Sequence, residues 1–186
     1  MTSDGTLTDH VRQAGRSTVR RHVAASCEQV FEVVSSGWLY PVWVVGAARM
    51  RAVDPGWPAV GSKLHHSFGL WPALLDDETE VLVCEPPRRI VLQARGWPAG
   101  EATVDLHLDP DPDDPDGACT ASLGEDASHG PGRFVPPVLR RGPIRVRNTE
   151  TLRRLAFIAE GMAANGRTPQ GFPPAQDQPR RSSPRT

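Results

Sequence analysis

The sequence predicts an α+β fold: a curved antiparallel sheet of seven strands wrapped around one long C-terminal helix, with two short helices after the first strand. Two observations carry this. Between residues 48 and 126, six segments alternate apolar and polar side chains as half-buried strands do, and proline, glycine or aspartate turns bound them. From residue 143 onward the apolar spacing becomes three and four, that of a helix burying one face. A chain of 186 residues is long enough for one core and short for two.

The first strand is STVRRHVA, residues 17–24. SCEQVFEVVSS follows, with Ser26 in position to cap a helix whose one face carries Val30, Phe31 and Val34. A second short helix spans residues 38–44 despite Pro41. The six later strands are ARMRAVD (48–54), SKLHHSF (62–68), ETEVLVC (78–84), RIVLQAR (89–95), EATVDLHLD (101–109) and ACTASLGED (118–126). Short turns such as EPPR and GWPAG join them, which implies an antiparallel meander. The closing helix starts at Pro143, a favourable first helical residue, and buries Ile144, Asn148, Thr151, Leu152, Leu155, Ala159 and Met162.

Both ends dilute the 38% hydrophobic content. Residues 1–16 show no apolar period, and residues 163–186 are rich in Pro, Gln, Ser and Arg. Such segments bury too little to offset ordering, so the folded domain is set at 17–162, between a flexible N-terminus and a disordered tail. A net charge of −1 provides no global field for nucleic acid or anionic lipid. Cys27, Cys84 and Cys119 are an odd number, widely spaced, which suits free thiols in a reducing cytoplasm. The longest apolar run, residues 38–48, is too short to span a bilayer.

At this point the chain resembles the START-like helix-grip superfamily (SRPBCC, the polyketide cyclase/dehydrase and lipid-transport proteins). The resemblance covers roughly residues 17–162. It rests on HVAASCEQVFEVVSS, VDPGWPAVGSKL, VCEPPRRIVLQAR and RRLAFIAEGM, in that order. It is closest to a subgroup carrying W-x-V-G, LHHS, GWP and EDA, here residues 43–46, 64–67, 96–98 and 125–127. The resemblance implies an apolar cavity between sheet and closing helix for a small hydrophobic molecule, lipid- or polyketide-like. It also implies that function varies: some members catalyse cyclisation or dehydration, while others carry ligands or bind proteins.

Strand parity sorts the candidate residues. Successive side chains point to opposite faces, so His65 and His66 cannot share a ligand. Leu64, His66 and Phe68 share the apolar, inward face; His65 goes outward with Lys63 and Ser67. His107 alternates outward against Leu106 and Leu108. No metal site or cofactor motif is present in this pattern. In ETEVLVC both faces are partly apolar and parity is ambiguous. The resemblance favours Leu82 and Cys84 inward, with Thr79, Val81 and Val83 opposite, and Glu80 then points into the cavity. Ala121 and Leu123 run inward and carry Glu125. Asn148 is either a polar contact on the helix stripe or a helix cap. Trp43, Trp71 and Trp97 are aromatic candidates for the wall or rim.

If the protein is an enzyme, His66 is the natural acid or base because imidazole titrates near neutrality, with Glu125 or Glu80 tuning it. The competing expectation is a non-catalytic protein-interaction module, like the co-chaperone or toxin-like members. That reading predicts a collapsed cavity and an exposed apolar patch.

Overall fold

The computed structural model describes residues 17–70, 73–96, 100–129 and 137–166. The expectations for the two ends, residues 1–16 and the tail beyond 166, lie outside the described residues. In chain order the elements are β1 (Ser17–Val23), α1 (Cys27–Ser35), a 3-10 turn (Gly37–Leu39) and α2 (Tyr40–Trp43). There follow β2 (Ala47–Val53), β3 (Lys63–Leu70), β4 (Ala73–Glu85), β5 (Arg89–Gly96), β6 (Gly100–Pro110), β7 (Cys119–His129) and α3 (Pro137–Ala164). The seven strands form one antiparallel curved sheet in the order β1-β7-β6-β5-β4-β3-β2, and α3 packs against it.

Ser26 caps α1 as expected. Its side chain accepts from Gln29 N at 3.3 Å, while the Gln29 side chain accepts from Ser26 N at 3.0 Å. The pair satisfies two of the donors that a helix start leaves open. The second short helix is a 3-10 turn followed by the four residues of α2. Pro41 stands in its first turn, where a missing N–H forfeits no helical bond.

Inward side chains from across the sheet form the core. Val19 and Val23 come from β1, Ile90 and Leu92 from β5, Leu106 and Leu108 from β6, and Cys119, Ala121 and Leu123 from β7. On α3 the buried face is Asn148, Thr151, Leu152, Leu155 and Ala159 of the expected stripe, with Ala156 added, while Ile144 and Met162 at its ends are half-buried and Arg153, Arg154 and Phe157 face solvent.

Three boundaries differ from the sequence reading. α3 begins at Pro137, so Pro143 lies inside the helix rather than at its start, and Asn148 is no cap. It also extends past Met162 to Ala164. Asn165 N and Gly166 N donate to the Met162 and Ala163 carbonyls, and Gly166 takes a positive φ of 59°, the conformation that ends helices at glycine. β4 begins at Ala73, ahead of the expected start at Glu78, and so takes in the acidic pair Asp76 and Asp77. Local partners carry those residues: the Ser67 hydroxyl donates to Asp76 Oδ1 at 2.9 Å, and Arg51 Nη2 donates to the Asp77 carbonyl at 3.2 Å.

The largest correction is in β4. Val81 pairs with Leu92 and Val83 with Val91, so Leu82 is an extra residue in the ladder. This bulge resets the alternation. Thr79 and Val81 are fully buried before it, Cys84 packs on the core after it, and Leu82 itself is exposed. The expectation that Leu82 and Glu80 point inward is therefore overturned. Glu80 lies on the outer face, where its carboxylate meets Lys63 Nζ at 3.7 Å.

Candidate functional site

The opening residues of the site come from β3. Leu64 and His66 are buried, at 0% and 2% exposure, on the face that strand parity selects. Phe68 is half-buried beside Gly46. Gly46 has a φ of 104°, and any side chain there would strike the Phe68 ring, so glycine is required on both counts. His65 is on the other face, between Asp54 at 3.4 Å and Glu78 at 3.3 Å. Among the described residues, no three His, Cys, Asp or Glu side chains converge as a metal site requires.

His66 is part of a buried chain of hydrogen bonds. Its Nε2 lies 2.9 Å from Thr79 Oγ1, and the same oxygen lies 3.2 Å from the Tyr40 hydroxyl. The rings of His66 and Tyr40 also pack, with centroids 5.1 Å apart, and Trp43 meets Tyr40 edge-on at 5.5 Å. The partner of His66 is thus a threonine hydroxyl rather than a carboxylate. Glu125 is buried on β7 but is engaged by Arg147 of α3, and Glu80 is outside.

Burial sets the electrostatics. Loss of solvent, with the Arg51 guanidinium second, pushes the His66 pKa down to about 4, so its imidazole is neutral near pH 7. Burial pushes the Tyr40 phenol up to about 12, and it keeps its proton. Asp77 is the cross-strand partner of His66 on the same face, and burial raises its pKa as well. A neutral imidazole joined to a protonated phenol through one hydroxyl can hold or relay a single proton. It does not hold a standing positive charge.

Leu106 and Leu123, each 2% exposed, pair across β6 and β7 in the same core, and Asn148 of α3 is buried at 2%. Trp43 is buried at 3%. Trp71 and Trp97 lie outside the described residues. Tyr40, Thr79, Asp77 and Arg147 were not singled out from the sequence. Tyr40 is the only tyrosine in the chain, which was an available signal. Thr79 and Asp77 were hidden by the bulge and by the misplaced start of β4, and Arg147 is one more arginine in a helix full of them.

No protein-family model matches the sequence, and no curated protein matches it either. Solved structures do match. A conserved protein from Geobacillus kaustophilus aligns with a TM-score of 0.60 at 12% identity, over 78% of this chain and 95% of that one. CalU16 from Micromonospora echinospora aligns at 0.51 and 17%, over 77% and 73%. The di-domain ARO/CYC BexL of the BE-7585A biosynthetic pathway aligns at 0.53 and 17%, over 78% of this chain and 48% of BexL. The order of elements and the packing of α3 agree with these structures, and the chain has the helix-grip fold.

Proposed function

We propose that the protein binds a small, largely apolar organic molecule between the sheet and α3, and that His66 serves that molecule as a proton donor in a cyclase- or dehydratase-like step. The observation that carries this reading is the Tyr40–Thr79–His66 chain, sunk in a largely apolar core. A folding core gains little from such a chain, because buried polar groups only break even when every one is satisfied. Likeness of fold to an ARO/CYC protein supports the same direction. Leu64, Leu106, Leu123 and Trp43 supply the apolar wall, and Glu125, held by Arg147, fixes one end.

Native mass spectrometry and calorimetry on the full chain test this. The expected result is a non-covalent small-molecule adduct after gentle purification, or uptake of the bicyclic hydrocarbon tetralin or its ketone 1-tetralone. A chain that carries no adduct and binds neither probe would remove the reading.

One observation favours a second reading, the protein-interaction module. An outer groove of about 340 Å³ runs beside α3, lined by Val42, Phe157 and Ile158 among Arg153, Arg154 and Glu150. Phe157 is 79% exposed there. In that case the same spectrum shows a stoichiometric polypeptide, lost on Phe157→Glu, instead of a small molecule.

A further inference from the structure

Among the described residues, and besides Arg21 Nε on β1, three buried side-chain nitrogens have no hydrogen-bond partner: Trp43 Nε1, His66 Nδ1 and Asn148 Nδ2. Each belongs to a residue at most 3% exposed. Leaving such a group unmade is costly, and native interiors pair nearly all of them. Three around one site are therefore a property of the site.

Two of them meet at one aromatic ring. Trp43 and His66 both pack against Tyr40, with ring centroids 5.5 and 5.1 Å away. Asn148 stands one helical turn before Thr151, whose Oγ1 accepts from Val45 N at 3.2 Å, two residues beyond Trp43. Its neighbour Arg147, with Glu125, lies close enough to act on the Tyr40 phenol.

All three nitrogens are donors. An indole N–H and an amide NH₂ can only donate. For the imidazole, the hydrogen-bond chain decides. Among the described residues, Thr79 Oγ1 is the phenol's partner, and the buried phenol proton is satisfied only by donating there. The Thr79 hydroxyl then gives its own proton to His66 Nε2, which accepts. In that arrangement the neutral ring carries its hydrogen on Nδ1; the Ser67 backbone favours the protonated ring, but Nδ1 has no well-formed hydrogen bond.

We infer that Trp43, His66 and Asn148 form a donor array that receives acceptor oxygens of the bound molecule, so that the ligand class is a carbonyl-bearing ring compound rather than a hydrocarbon or an amine. The inference rests on the ligand reading above and specifies its chemistry. In this role His66 polarises a carbonyl as a hydrogen-bond donor. It does not act as a base: its Nε2 lone pair is already engaged by Thr79.

Titrating the full chain with 1-tetralone and with tetralin, two ligands of one shape differing by a carbonyl, tests the array. Tetralone is expected to bind about tenfold tighter, the effect of one well-made buried hydrogen bond. Asn148→Leu or Trp43→Phe should cut that ratio, taken within each variant, severalfold. Equal affinity for the two probes overturns the array and leaves the binding reading standing. Binding of neither removes that reading, and the array with it. A ligand-independent arm reads the His66 tautomer by ¹⁵N NMR. Hydrogen on Nδ1 supports the array, while hydrogen on Nε2 with a bare Nδ1 overturns it whatever tetralin does.

Discussion

Burial and the Arg51 guanidinium hold the His66 imidazole at about 4, below the ordinary histidine value of 6.5. Between these values the unfolded chain binds a proton that the folded chain refuses. The contribution is therefore complete above pH 6.5 and is lost as pH falls toward 4, by on the order of 3 kcal/mol in all. Asp77 works the other way, because its raised folded pKa favours the folded state at low pH. Comparing wild type with His66→Gln separates the two, since Asp77 is common to both. Urea unfolding at pH 7 and pH 4.5 should show the wild type losing roughly 2 kcal/mol more than the variant. Equal losses would mean that the imidazole takes up its proton inside the fold. Parity placed His66 inward and His65 outward from the sequence alone, because a strand face with Leu64 on it has one apolar side. No such rule identifies a hydroxyl partner across the ladder, and Thr79 came only with the coordinates.

At the scale of elements, most of the architecture was legible. Six alternating segments became six strands within a few residues, and a stripe at three and four became the buried face of α3. The chief failure has a single cause. Alternation counts residues, and a bulge miscounts by one: Leu82 turned Glu80 outward and Thr79 inward. The expected start of β4 at Glu78 is also late, since Ser67 and Arg51 support Asp76 and Asp77 as strand. The bulge also predicts which deletion the sheet tolerates. Removing Leu82 leaves Val81 and Val83 opposite Leu92 and Val91 in an unbroken ladder, with every other side chain on its present face. Removing the equally exposed His107 from β6, where pairing runs without interruption from Ala102 to Pro110, inverts one half of that strand. Thermal melts should show the Leu82 deletion folded and within about 2 kcal/mol of wild type, against an unfolded His107 deletion. Comparable damage from both would rule out Leu82 as the extra residue.

For the molecule as a whole, the strand order has a consequence in time. From β2 to β7 every neighbour in the sheet is the next strand in the chain, joined by a hairpin. β1 is the exception: Ser17 pairs with Glu125, about 100 residues later, and β1 is also the strand against which α3 packs. Closing so long a loop costs more entropy than any hairpin, so the meander can form while β1 waits. Pulsed hydrogen exchange during refolding should protect β3 to β6 amides first and β1 amides last, together with those of α3. Early protection of β1 would contradict this sequence of events. The sheet's earliest strand in chain order is thus the last to find its place, and until it does, α3 lacks the main strand it settles on. A molecule destined for the interior need not wait for a folded wall to part: it can be enclosed as the chain finishes.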